Sequence, residues 1–162
     1  MAVNVTIREG LKTDMPAVLA LIHELAVYEK APDEVVVTAS DMEEYGFGNE
    51  PFFKLFVACE NEKIIGISLF FIRYSTWKGP LLYLEDLVVS DEYRGQGIGH
   101  LLFERTMQYA HEKNLAGMAW QVLDWNEPAI RFYDKYKASY SSEWLNGRLS
   151  KDQIASFFNS TK

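Results

Sequence analysis

The sequence predicts one α/β domain of the α+β kind over residues 1–162, with a mixed, mostly antiparallel central sheet and helices on both faces. Three observations predict it. Stretches of strand-like and helix-like hydrophobic period follow one another as strand, two helices, three strands, helix, strand, helix and strand. With 48% hydrophobic and 14% aromatic residues, the chain has the apolar material for one substantial core. No repeat, low-complexity tract or linker divides it.

The elements are justified in order. Residues 1–8 alternate apolar and polar side chains, as a strand does. Thr13 or Asp14 then caps a helix with Pro16 in its first turn, where a missing N–H costs little. Val18, Leu19, Leu21, Ile22, Leu25 and Ala26 give this helix, which runs to Glu29, its core face. Thr38-Ala-Ser-Asp41 is close to a capping box and opens a second, short helix that ends in Gly46-Phe-Gly48. Three antiparallel strands are expected over residues 53–60, 64–74 and 81–89, joined by a hairpin at 61–63 and a longer turn at 75–80 that carries Trp77. A helix over 97–113, a strand over 115–123 and a helix over 126–136 follow. The chain then reads as a strand over 138–149 with a turn at Asn146-Gly147, and as a helix over 151–158.

Composition narrows the function. A net charge of −7 argues against a nucleic-acid partner, which needs a basic face, and leaves room for a cationic small molecule. The one cysteine, Cys59, lies in an apolar run and reads as a small core residue, so no disulfide framework within the chain is expected and a cytoplasmic setting is favoured. The amino terminus lacks the layout of a signal peptide, and no apolar run is long enough to span a membrane, so no membrane partner is expected.

The chemistry centres on residues 83–102. A strand holding Glu85 and Asp86 runs into a turn with Gly95, Gly97 and Gly99, which launches an amphipathic helix. Glycines before a helix let the backbone approach a bound group, and the helix's first amides have no partners of their own. Such a turn can hold an anion such as a pyrophosphate. Adjacent Glu85 and Asp86 are expected on opposite faces of their strand, each solvated at a cleft or paired, because burying an unpaired charge is costly.

Arg94-Gly-Gln-Gly-Ile-Gly99, set between a strand and a helix, resembles the acetyl-coenzyme A signature of the GNAT N-acetyltransferases, an arginine or glutamine, two arbitrary residues, glycine, one arbitrary residue, then glycine or alanine. Gly95 stands at an arbitrary position of that pattern and is open to being incidental. Tyr83-Leu-Glu-Asp86, Gly46-Phe-Gly48, Tyr74-Ser-Thr-Trp-Lys-Gly79 and Trp125-Asn-Glu-Pro128 resemble the diamine acetyltransferases, a subfamily that includes spermidine/spermine and thialysine enzymes. The resemblance implies the GNAT fold, acetyl-CoA as cosubstrate, no metal, and direct acetyl transfer to a small primary amine. It implies that Leu87, Val88 and Val89 offer backbone groups to the pantetheine arm, pairing with it as a further strand would. It gives the pyrophosphate to the amides of Gly95, Gln96, Gly97, Ile98, Gly99 and His100, with charge added by Arg94. Asn126 and Ala129 join the cofactor side, although Asn126 is equally a helix cap. Tyr133 takes the general-acid position and donates a proton to the departing sulfur. Glu85 contacts the amine and draws its proton off through water, Asp86 supplies negative potential, and Tyr28, Glu29 and Trp77 line the amine tunnel. Family members of this kind are commonly homodimers with the carboxyl-terminal strands near the interface, and whether Phe157-Phe158 serves a dimer or the core stays open.

The pattern is broken in places that choose the substrate. Ser75 stands where polyamine-type members carry an acid, Leu145 and Gly147 replace a later acid and tryptophan unless Glu143 and Trp144 substitute in a shifted register, and Lys137 stands where glycine is usual. A protein or peptide acetyltransferase and a non-catalytic CoA-binding sensor of the same fold remain as alternatives.

Overall fold

The computed structural model describes residues 4–160, so the first three residues of the expected amino-terminal strand lie outside the described residues. The chain falls into two compact units, residues 1–121 and 122–162. The first holds strands β1 (Val5–Glu9), β2 (Lys54–Glu60), β3 (Lys63–Ser75), β4 (Gly79–Val89) and β5 (Met118–Trp120), with helices α1 (Met15–Tyr28), α2 (Ala39–Phe47) and α3 (Ile98–Glu112). The sheet runs β1-β2-β3-β4-β5, antiparallel up to β4 and parallel between β4 and β5.

The alternation of β2 and β3 sends side chains to two separate helical layers. Leu55, Val57, Cys59, Ile67 and Leu69 pack with Met15, Val18 and Leu21 of α1, together with Val88 of β4. On the other face the Phe56 and Phe70 rings meet Tyr109 of α3, at centroid distances of 6.1 and 5.1 Å. Ser68 and Thr106, both fully buried there, satisfy each other through a 2.6 Å hydrogen bond between their hydroxyls, while Thr106 donates to the Leu102 carbonyl at 2.8 Å. Helices therefore cover both faces, as expected.

Local chemistry explains the helix starts. The Thr38 hydroxyl accepts from the Asp41 amide at 3.1 Å and the Asp41 carboxylate accepts from the Thr38 amide at 2.8 Å, the reciprocal pair that the sequence suggests. Asp14 precedes α1 but does not cap it with its side chain. Its carboxylate instead takes both guanidinium nitrogens of Arg8, at 2.7 and 3.0 Å, and the Leu11 amide. The Arg8 contact holds the Asp14 carboxyl below its ordinary pKa.

The second unit holds α4 (Glu127–Asp134) and α5 (Lys151–Asn159). Two expectations are corrected. The strand over 115–123 shrinks to three residues, and residues 138–149 form no strand. A strand persists only where another backbone completes its ladder, and here Trp144, Leu145 and Leu149 are 74, 98 and 70% exposed. No helix among the described residues is long and apolar enough to cross a membrane.

Candidate active site

The site begins with a break in the β3–β4 ladder. Leu84 stands opposite Phe70 and Asp86 opposite Leu69, so β4 carries one extra residue, Glu85. Such a bulge resets the alternation of side chains. Leu84 accordingly shares the face of Phe70, while Asp86 shares that of Leu69 and faces the α1 layer. At this bulge adjacency alone no longer fixes whether Glu85 and Asp86 point to opposite faces. The two carboxyls interact: burial first, then Glu85 and then Glu29, pushes the Asp86 carboxyl up to about 6. Glu29, at the end of α1, is itself raised by burial, and burial followed by the Glu85 charge raises the Tyr83 hydroxyl. Glu29 and Glu85 thus stand close enough to Asp86 for their charges to act on it.

Beside this cluster the sheet opens. β5 pairs with β4 only across Leu82 to Leu84, so among the described residues no strand continues the ladder beyond Leu84 on the β5 side. On the other side, Leu87 and Val88 are held by their pairing with Ser68 and Ile67 of β3. The Val89 carbonyl accepts from Arg94 Nε at 3.1 Å.

The turn that follows is shaped for close approach. Gly95 and Gly97 have φ of 75° and 82°, a left-handed conformation, and nothing lies within 4 Å of where a Cβ would stand on either. The backbone at Gly95 therefore favours glycine. Gly97 caps α3, and its carbonyl accepts from the His100 and Leu101 amides at 3.1 and 3.2 Å. The His100 amide is consequently engaged, whereas those of Gly95, Gln96, Gly97, Ile98 and Gly99 meet no acceptor among the described residues. Arg94, expected to add charge to this cradle, pairs with Asp91 Oδ1 at 2.6 Å and lies over the Tyr28 ring.

Trp77 sits on the β3–β4 turn, 84% exposed, with its amide bonded to Ser75 Oγ at 3.3 Å. The structure does not bring its ring to the acids. A separate cavity of about 160 Å³ is walled by Gly10, Gly46, Leu55, Phe56, Phe70 and Tyr109, and none of the candidate residues borders it.

In the second unit, Asn126 Oδ1 caps α4 by accepting from the Ala129 amide at 3.3 Å. That bond occupies the Ala129 N–H. Tyr133 is buried on α4, its ring edge-on to Phe132 at 5.1 Å. Lys137 takes the bend after α4 itself, with φ of 59°.

The acetyltransferase (GNAT) family model matches residues 19–137. The chain belongs to this family. It is 39% identical over 142 residues to the thialysine N-epsilon-acetyltransferase of Bos taurus, covering 83% of this chain and 82% of that one. To the Mus musculus protein of the same name it is 34% identical over 159 residues, covering 91% and 94%. Among solved structures, an aminoglycoside N-acetyltransferase in complex with CoA shares the fold, with a TM-score of 0.71 over 90% of this chain and 95% of that one at 19% identity.

As a GNAT protein, the chain is an acetyl-CoA-dependent N-acetyltransferase, and its turn fits that donor. Amides that meet no acceptor, beside two left-handed glycines at a helix start, suit phosphate oxygens, and a side chain at either glycine would strain the turn. The open edge of β4 beyond Leu84 leaves backbone groups for an extended amide-bearing arm. Sequence reasoning missed Glu24, whose carboxylate reaches the Ser90 hydroxyl and the Asp91 amide at 3.5 and 3.4 Å. Only its place one helical turn before Tyr28 hinted at this.

Proposed function

We propose that residues 1–162 form a single N-acetyltransferase domain that moves an acetyl group from acetyl-CoA directly to a primary amine of a small cationic substrate, a diamine, a polyamine or a thialysine-like amino acid. The family match crosses from one compact unit into the other, which supports one functional domain. The observation that carries the substrate class is the cluster of Glu29, Glu85 and Asp86, in which burial and the charges of Glu85 and Glu29 raise the proton affinity of Asp86, a cost that a cationic amine would relieve. Relatives named for thialysine acetylation support the same class.

Bound acetyl-CoA supplies the acetyl thioester. The amides of Gly95 to Gly99 hold its phosphates, and Leu87 to Val89 orient its amide-bearing arm. Glu85 takes a proton from the ammonium through water, leaving the nitrogen lone pair free to bond the acetyl carbon as the carbon–sulfur bond breaks. Tyr133 passes its hydroxyl proton to the leaving sulfur and is reprotonated by the second proton that the nitrogen sheds through water as the amide forms, while Glu85 returns the first to solvent. Asp86, Glu29 and Tyr28 hold the cation. The exposed Trp144, Leu145, Leu149, Phe157 and Phe158 support a homodimer in which the carboxyl-terminal stretch is covered. The lone buried thiol of Cys59 suits a cytoplasmic setting.

The test is thiol release from acetyl-CoA with a panel of thialysine, lysine, diamines and polyamines, repeated with Tyr133→Phe. Turnover of at least one small amine, lowered about a hundredfold in the variant with CoA affinity kept, is expected. Absence of turnover with every amine contradicts the proposal, and unchanged turnover in the variant removes Tyr133 from it.

A further inference from the structure

Arg94 opens the cofactor turn, yet the protein itself engages its guanidinium. Nε donates to the Val89 carbonyl at 3.1 Å, Nη1 pairs with Asp91 at 2.6 Å, and the guanidinium carbon stands 5.1 Å from the centroid of the Tyr28 ring. A second tie runs parallel to it, because Glu24 of α1 accepts from the Ser90 hydroxyl and the Asp91 amide. Glu24 and Tyr28 are four residues apart and so share one face of α1. The last turns of α1 are thereby fastened to residues 90–94, and Glu29 follows Tyr28 immediately as the residue that ends the helix.

We propose that Arg94 is a positioning residue that locks the end of α1, with Tyr28 and Glu29, to the cofactor turn, so that CoA in the turn strengthens amine binding. This rests on the acceptor site described under Proposed function. A turn made rigid by CoA holds Asp91 and Arg94 still, and both ties then hold α1 still. The coupling is reciprocal by thermodynamic necessity, so the amine strengthens CoA binding by the same factor. An exposed cation over an aromatic ring and an exposed ion pair together support a factor of about three to ten.

Amide hydrogen exchange with and without CoA tests the link on the full chain. The amides to follow are those of Glu29, Lys30 and Ala31, which bond the carbonyls of Leu25, Val27 and Ala26. CoA is expected to slow their exchange in the wild type. Arg94→Gln is expected to speed it in the absence of CoA, to cut the slowing by CoA at least about twofold while the Glu24 tie remains, and to change CoA affinity less than about threefold. Tyr28→Leu should behave like Arg94→Gln, whereas Tyr28→Phe, which keeps the ring, should behave like wild type. Exchange at these amides that ignores Arg94→Gln overturns the proposal. So does a CoA affinity that falls tenfold or more in that variant, which would assign the guanidinium to the phosphates. Failure of the function reading looks different: the wild type turns over no amine, while the exchange of CoA-free Arg94→Gln still reports on the lock.

Discussion

Glu85 is the extra residue of the β4 bulge, and Asp86 beside it stands opposite Leu69 on the α1 side of the sheet, within reach of the Glu85 charge. Folding lifts the Asp86 carboxyl from 3.8 to about 6 by burial and by its acidic neighbours. The folded protein therefore holds this proton more tightly than the unfolded chain. The cost of a charged Asp86 is absent well below pH 4, grows between about pH 4 and 6, and is complete above. Asp86→Asn is predicted to stabilise the protein by about 1–3 kcal/mol at pH 8, with most of the gain gone at pH 4. Thermal melts at the two pH values measure this, and the same variant should raise the KM for the amine.

The cofactor turn makes a separate demand. A side chain at Gly97, whose φ is 82°, costs about 1–2 kcal/mol of backbone strain although no atom stands in its way. Gly97→Ala is predicted to lower CoA affinity about tenfold or more as the turn relaxes and its amides lose their aim. Calorimetric titration with CoA checks it, and an unchanged affinity would mean that the amides are not the cradle.

Lys137 bears a strain that the cofactor does not require. It sits at φ of 59° after α4, where its amide bonds the Asp134 carbonyl at 2.9 Å. Lys137→Gly is predicted to stabilise the chain by about 0.5–1 kcal/mol, because relief of left-handed strain exceeds the added freedom of the unfolded chain. A melting temperature higher by about 1–4 °C, with unchanged kinetics, is the expected result.

Much of this was legible in the sequence, for reasons that differ by residue. The Thr38–Asp41 box, the core face of α1 and the glycine turn are local, and short-range chemistry writes them into a few adjacent positions. The bulge at Glu85 was not legible, since a register shift belongs to the pair of strands and β4 alone does not encode it. The same holds for Arg94, whose partners Val89, Asp91 and Tyr28 are assembled only by the fold. Residues 138–149 read as a strand because Asn146-Gly147 is a hairpin signal, but a turn without a paired backbone on each side does not make a ladder.

The central claim is that an amine is acetylated against the acids of the β4 bulge while the neighbouring turn holds the cofactor. Steady-state kinetics of Glu85→Gln, with the best amine of the panel and a parallel titration of acetyl-CoA, tests this most directly. The account predicts a kcat/KM for the amine lowered about a hundredfold, with the acetyl-CoA dissociation constant within about twofold of wild type. An unchanged kcat/KM, or a loss explained wholly by weaker acetyl-CoA binding, would contradict it.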